Sequence, residues 1–241
     1  MTRLGIISQA RMTSTRLPGK VLMEAGGKTM LAHHIERLRT SGLPVYVATT
    51  TNVTDDSIEA EANRLGVAGV YRGDEHDVLG RYAEAVRLFD LDVVVRVTSD
   101  CPLIDGQLVR RGVDQYLSLD DPRAYVSNVM VRTYPRGFDF EVFSALLLQE
   151  AAAKARSASE REHVTPYMYA TARGDVTQHH VTSDRDTSRY RVTLDTVEDL
   201  SLIRELLTQD PDLSGVSDIV QILDESPELV ALNAAVLQKE S

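Results

Sequence analysis

Short β-branched runs alternate with amphipathic stretches through the first half of the chain, and few folds accommodate that rhythm. Leu4–Ser8, Val45–Thr49, Val70–Arg72 and Val93–Val97 read as strands. Thr29–Arg39, Asp56–Leu65 and Asp77–Phe89 read as helices between them, the last with Val78, Tyr82, Ala85 and Phe89 on one face. Strand and helix at this spacing form βαβ units, which predicts a mainly parallel sheet. In such sheets ligands bind beyond the carboxyl ends of the strands, so the loops that follow them are where chemistry is sought.

The rhythm changes near Asp120. Tyr125–Met130 and Phe138–Phe143 read as strands, followed by an Ala-rich helix near Ser144–Arg156. Gln178–Val181 and Tyr190–Thr193 suit a hairpin around the polar stretch Ser183–Ser188. Two helices close the chain, Val197–Leu207 and one from Val216 towards Leu237, with Pro227 starting a new turn in the second. The expected organisation is an α/β core over 1–120, an α+β extension over 121–190, and a return to the core over 191–241. A chain of 241 residues can bury a substantial core, and with no Trp that core rests on Val, Leu, Ile and Ala.

The chain carries 36 Asp and Glu against 26 Lys and Arg, a net charge of -10. General binding to nucleic acid or to an anionic membrane needs a basic surface, so neither is expected as a partner. Any anionic ligand must meet a local cluster of cations, which makes such clusters informative. Cys101 is the only cysteine, so an internal disulfide and a Cys-rich zinc site are both excluded. The apolar run Leu4–Ile7 is too brief for a signal peptide or a membrane span, and a cytoplasmic location is expected.

The loop after the first strand, Gln9-Ala10-Arg11-Met12-Thr13-Ser14-Thr15-Arg16-Leu17-Pro18-Gly19-Lys20, brings Arg11, Arg16 and Lys20 together. Ala10, Ser14, Pro18 and Gly19 are small or turn-forming and let backbone N–H groups approach an anion. Three cations with exposed amides suit a triphosphate, although a solvated basic loop has the same composition. The spacing is not that of a Walker P-loop. A second site of interest is Asp100, in Arg96-Val97-Thr98-Ser99-Asp100-Cys101-Pro102, at the end of the strongly apolar fourth strand. A carboxylate there can hold Mg²⁺ against a phosphate, or simply cap a turn. Cys101 has no adjacent base and reads as packing.

These residues carry a resemblance. The string Q-A-R-M-x-S-T-R-L-P-G-K-V-L resembles the signature loop of the CMP-sugar-acid synthetases, which include the CMP-Kdo and CMP-sialate synthetases. It is most similar to the spore-coat polysaccharide biosynthesis branch of that cytidylyltransferase family. The resemblance runs with gaps from Ile6 to Leu200. It implies a Rossmann-like α/β fold of the nucleotide-diphosphosugar-transferase type, with a mid-chain α+β extension. It also implies that Ala10, Arg11, Ser14, Arg16 and Lys20 hold the nucleotide and that Asp100 binds the metal. Where CMP-Kdo synthetases carry D-E-P, this chain has Asp100-Cys101-Pro102, which points away from Kdo itself as the acceptor.

Asp195, in Leu194-Asp195-Thr196-Val197-Glu198-Asp199-Leu200, resembles the first Asp of the family's D-T-P-E-D-L segment, which completes the metal site. Read on its own, Asp195 or Thr196 is a helix N-cap, with Glu198 and Asp199 stabilising the helix start. Thr49 and Thr50 follow the second strand, where the family's loop lies near the nucleotide. Arg81 is placed either to reach the nucleotide or acceptor or on a helix surface. Asp77 suits the N-cap of that helix.

Tyr134-Pro135-Arg136-Gly137-Phe138-Asp139-Phe140-Glu141 resembles the family's P-x-G-x-D-x-E-V-F strand, with Asp139 and Glu141 on one face. Glu160-Arg161-Glu162-His163-Val164-Thr165-Pro166-Tyr167 resembles a helix of the spore-coat branch. Asp139, Glu141, Arg161 and His163 are therefore the acceptor candidates, with Arg161 as the anion partner. An exposed helix face and a locally bonded histidine remain the plainer alternatives.

The expected reaction is attack by an acceptor oxygen on the α-phosphorus of CTP, with Mg²⁺ held by Asp100 and Asp195. Arg11, Arg16 and Lys20 would then stabilise the leaving pyrophosphate. The expected partners are CTP, a small acidic sugar-like acceptor and a second copy of the chain. A glycosyltransferase of similar fold and a non-catalytic nucleotide-binding protein are the other readings. The first lacks its D-x-D motif after the Asp100 strand, and the second leaves three cations and two carboxylates without a purpose.

Overall fold

The four early strands form where the β-branched runs place them: β1 (Leu4–Gln9), β4 (Val45–Thr50), β5 (Gly69–Gly73) and β6 (Val93–Thr98). The structure, a computed structural model, describes residues 2–170, 175–209 and 215–237. Between β1 and β4 a small hairpin, β2 (Glu24–Ala25) with β3 (Lys28–Thr29), leads into α1 (Met30–Arg39). The Thr29 hydroxyl starts that helix by accepting the Ala32 N–H at 3.0 Å. Then come α2 (Asp56–Arg64) and α3 (Val78–Leu88), where the Asp77 carboxylate accepts the Gly80 N–H at 2.9 Å, as its N-cap position predicts. One helix, α4 (Gly106–Leu119), was not anticipated from the sequence. Its apolar positions Leu108, Val109, Val113 and Tyr116 share one face, and Asp105 caps it.

The mid-chain segment adds β7 (Ala124–Ser127), β8 (Glu141–Ser144) and β9 (Thr177–His180) to the same sheet. The strand order is β5-β4-β1-β6-β8-β7-β9, with β8 antiparallel to its neighbours and all other pairings parallel. The fold is thus α/β, with a mainly parallel, Rossmann-like sheet. The sheet separates two apolar layers, and residues adjacent along a strand feed opposite ones. Ile6, Val95 and Val142 face the layer beneath α1 and α4; Ile7, Val94 and Phe143 face the one beneath α3 and α5 (Ala145–Lys154).

Two expectations need correction. The stretch expected as a strand from Phe138 pairs only from Glu141 onward. Before that, the Asn128 side chain substitutes for a strand partner, donating to the Phe138 carbonyl at 2.8 Å and accepting the Phe140 N–H at 3.0 Å. Gln178–Val181 and Tyr190–Thr193 do not form a hairpin: β9 pairs in parallel with β7. The 190–194 segment is drawn elsewhere, because Val192 and Leu194 are buried and the Leu194 N–H donates to the Asp100 carbonyl at 2.7 Å. Past β8 the chain continues through α5, α6 (Ala158–His163) and α7 (Pro166–Tyr169), and it closes with α8 (Val197–Gln209), α9 (Val216–Glu225) and α10 (Pro227–Ala231). Pro227 does begin a new helix, which ends at Ala231 rather than running to Leu237.

Candidate active site

The loop from Ala10 to Lys20 leaves the carboxyl end of β1, and three contacts fold it back over the sheet. The Ala10 N–H donates to the Ala48 carbonyl at 3.1 Å and the Gly19 N–H to the Met12 carbonyl at 2.9 Å. The Met12 N–H donates to Asp55 at 2.9 Å. Gly19 turns at φ 72, a conformation that L side chains resist, and so aims Lys20 inward. Asp55, which the sequence reading passed over, is the anchor of this corner. It also accepts the hydroxyls of Thr49 at 2.9 Å and Thr50 at 2.6 Å. Thr49 and Thr50 are therefore buried beneath the cleft with their hydroxyls committed to Asp55, and they do not line it.

Lys20 is the point where three distant stretches of chain meet. Its ammonium donates to Asp100 at 2.9 Å and to Asp195 at 2.8 Å, residues 80 and 175 positions away. Asp100 lies in the turn that follows β6, and its carbonyl receives both the Leu194 N–H and the Thr193 hydroxyl, which brings Asp195 alongside. Asp195 also pairs with Arg16 at 2.9 Å and Arg191 at 2.8 Å. Burial works against both ions of the Lys20–Asp100 pair. Their mutual attraction overrides it, holding Asp100 at about 2 and Lys20 above an ordinary lysine. Asp199 does more than stabilise a helix start: fully buried, it takes Arg191 in a bidentate pair and accepts Asn233 at 2.8 Å. It also accepts the Asp195 N–H at 2.9 Å, so the position of Asp195 is set from below.

Above these groups lies a cleft of about 290 Å³, walled by Ala10, Arg11, Ser14, Arg16 and Lys20 on one side and by Arg81, Asp100 and Asp195 on the others. Arg11 has a distant carboxylate, Glu75, at 3.9 Å. Arg81 is buried, donates only to the Asp74 carbonyl at 2.7 Å, and leaves its Nε without a hydrogen-bond partner among the described residues. Burial of this guanidinium pulls its pKa down, a cost that an anion in the cleft would relieve. The cleft thus offers cations for a polyanion and two carboxylates that converge on one point. Among the described residues no group of three or more His, Cys, Asp or Glu side chains stands ready to hold a metal ion. Two carboxylates do suit Mg²⁺ when water and substrate phosphate complete its shell, so Asp100 and Asp195 fit as donors once Lys20 yields its place between them.

A second pocket of about 360 Å³ opens beside the cleft, and Arg96, Thr98 and His163 line both. His163 thus stands where the two spaces meet. Asp139 lines the second pocket with both oxygens held by Arg132, at 2.6 and 3.0 Å. Glu141 lies at its floor, almost fully buried, paired with Arg96 and accepting the hydroxyls of Tyr125 and, at 2.6 Å, Thr165. Arg161 lines neither space. It pairs with Asp77 and donates to the Ala152 carbonyl at 2.8 Å, tying α6 to α3 and α5.

A buried polar chain under the cleft also escaped the sequence reading. His34 on α1 donates through Nδ1 to the Cys101 carbonyl at 2.8 Å and accepts the Ser8 hydroxyl on Nε2 at 2.8 Å, while Ser8 and Ser99 share a hydrogen bond of 2.6 Å. Burial pushes the imidazole down to about 4, so the ring is neutral and holds the turn that carries Asp100. Burial likewise raises the Cys101 thiol well above its ordinary value, in keeping with packing rather than nucleophilic chemistry.

With this geometry in hand, comparison with known proteins gives a consistent answer. Residues 5–231 match the family described as cytidylyltransferase. The spore coat polysaccharide biosynthesis protein SpsF of Bacillus subtilis is 31% identical over 239 residues, covering 95% of this chain and 97% of that protein. A 3-deoxy-manno-octulosonate cytidylyltransferase of Methylorubrum extorquens is 35% identical over 129 residues, about half of each chain. The structure of a cytidylyltransferase from Leptospira borgpetersenii superposes with a TM-score of 0.92 at 33% identity, over 99% of this chain and 100% of that one.

Proposed function

The chain belongs to the cytidylyltransferase family, and on that premise we propose that it transfers CMP from CTP to an oxygen of a small acidic sugar-like acceptor, releasing pyrophosphate. The observation that carries this reading is the meeting of the signature loop with Asp100 and Asp195 at Lys20. The triphosphate occupies the cleft, with Arg11, Arg16, Lys20 and Arg81 as its cationic surround. These groups stabilise charge as the α–β bridging oxygen departs with its electron pair in pyrophosphate. The acceptor enters from the adjoining pocket, its oxygen forming the new bond to the α-phosphorus as the old one breaks. Holding the two in line is the main work left to the protein. Asp100 and Asp195 would hold Mg²⁺, which when bound would neutralise phosphate charge.

The likeness to SpsF over nearly the full chain supports a role in surface polysaccharide biosynthesis. The chain also pairs with a second copy through the 121–190 segment in this reading, which is supported by β9 closing the sheet with an open edge. Among the described residues no helix is long and apolar enough to cross a membrane. Action in the cytoplasm belongs to the same reading, and the free buried Cys101 thiol is compatible with its reducing conditions. The test is pyrophosphate release from each of CTP, UTP, ATP and GTP with Mg²⁺, against a panel of sugar acids. CTP should be preferred, and equal use of all four nucleotides would defeat the reading.

A further inference from the structure

The pocket beside the cleft contains three guanidinium groups, and only two of them are spent. Arg96 is neutralised by Glu141 and Arg132 by Asp139. Arg136, on the same wall, makes no side-chain hydrogen bond or ion pair with any described residue. Asp139, which lines the same pocket, has both oxygens engaged by Arg132. Arg136 is bridged through its backbone to Arg191, itself committed to Asp195 and Asp199. The pocket therefore carries one positive charge that the protein does not balance.

The backbone that carries this side chain is fixed by two hydrogen bonds. The Arg136 N–H donates to the Tyr190 carbonyl at 3.1 Å, and the Arg136 carbonyl accepts the Val192 N–H at 2.7 Å. Gly137 follows at φ 110, where an added Cβ would lie 2.7 Å from the Val192 backbone, so the Arg136–Gly137 backbone and the 190–192 segment are closely packed. Beside Arg136 stand the apolar side chains of Met130 and Tyr169, with His163 at the mouth towards the nucleotide cleft.

We propose that Arg136 holds the carboxylate of the acceptor and so selects acids over neutral sugars. The proposal rests on the cytidylyltransfer reading above and names the group in this chain that recognises the acceptor. A single planar guanidinium matches a single carboxylate in both charge and geometry, whereas a phosphate dianion would leave one charge unmet. Bound at Arg136, a sugar acid extends along the pocket with its hydroxyls towards His163 and Thr98, the border with the cleft.

The experiment uses the full chain with Mg²⁺ and CTP, and takes 3-deoxy-manno-octulosonate, N-acetylneuraminate, their methyl esters and a hexose 1-phosphate as probes. Pyrophosphate release gives the acceptor KM and kcat, and calorimetry gives CTP affinity. At least one acid should be used in preference to its ester. Arg136→Gln should raise the acid's KM about tenfold or more, leave the ester's unchanged, and keep CTP affinity within about twofold. Arg136→Lys should recover part of the loss. An unchanged KM in Arg136→Gln, equal use of acid and ester, or preference for the sugar phosphate overturns the assignment while cytidylyltransfer stands. So does a wild type that binds CTP but uses neither acid. Failure of the wild type to bind CTP would instead remove the cytidylyltransfer reading and this proposal with it.

Discussion

The two walls of the site use charge in opposite ways. On the nucleotide wall, Lys20, Arg16, Asp100 and Asp195 form ion pairs that face an open cleft, where phosphate oxygens can replace carboxylate oxygens as partners. On the wall of the second pocket, Glu141 and Arg96 form a largely buried pair whose carboxylate is already saturated by two hydroxyls. The first arrangement stores charge for a ligand; the second spends it on the fold. A charged residue on the correct face of a strand is therefore a candidate only until its partners are known, and what distinguishes the two walls is whether those pairs can exchange.

The largest effect expected from this contrast is on turnover. Asp100→Asn removes one member of an exchangeable group, and Lys20 keeps Asp195 as its partner. Pyrophosphate release should fall by about 10²-fold or more, the scale seen when one electrostatic contact is lost at a reacting centre. Thermal unfolding should move little, because no buried charge is left alone. Full activity in Asp100→Asn would take the residue out of the site and leave the signature loop as a solvated basic turn.

The converse is expected across the sheet. Glu141→Gln leaves Arg96 buried without a counter-ion, a change that typically costs about 3 kcal/mol or more. Urea unfolding should report that loss, with CTP affinity in the folded protein unchanged. Should stability hold while the acceptor KM rises, Glu141 would be a binding group after all and the contrast between the walls would fail.

The same contrast explains what could be read in advance. The core sheet was legible because its signals are local: β-branched runs, a helical period, and a cap such as Asp77 three residues before Gly80. The cations of the cleft were legible because one contiguous loop carries them. Asp55 and Asp199 were not, since each works through partners supplied by turns and backbone amides that no spacing rule brings together. Tyr190–Thr193 shows the same limit. Its alternation suits a strand, yet Val192 and Leu194 are claimed by the core and the backbone by Asp100, so it never pairs with β9. Arg136 could have been found only by accounting for the partners of every arginine around it.

The smallest expected effect is the one that separates the two ways of reading a charge. Arg161 sits in a segment rich in acceptor candidates, and its position in sequence suggested an anion partner. In the fold it pairs with Asp77 and reaches the Ala152 carbonyl, and it does not line the second pocket. Both ions are partly solvated, with about 27% and 36% of their side chains exposed, so screening and side-chain entropy consume much of the attraction. Arg161→Ala should therefore lower stability by no more than about 1 kcal/mol, chiefly through the looser tie of α6 to α3. Asp77 keeps its role as N-cap through the oxygen that accepts Gly80, so α3 should remain intact. With α6 carrying His163 at the mouth of the second pocket, a small rise in acceptor KM, about twofold, is the most that loosening should produce. A tenfold rise with stability unchanged would place Arg161 at the acceptor. In that case the pair with Asp77 would itself be exchangeable, and it would belong with the groups on the nucleotide wall.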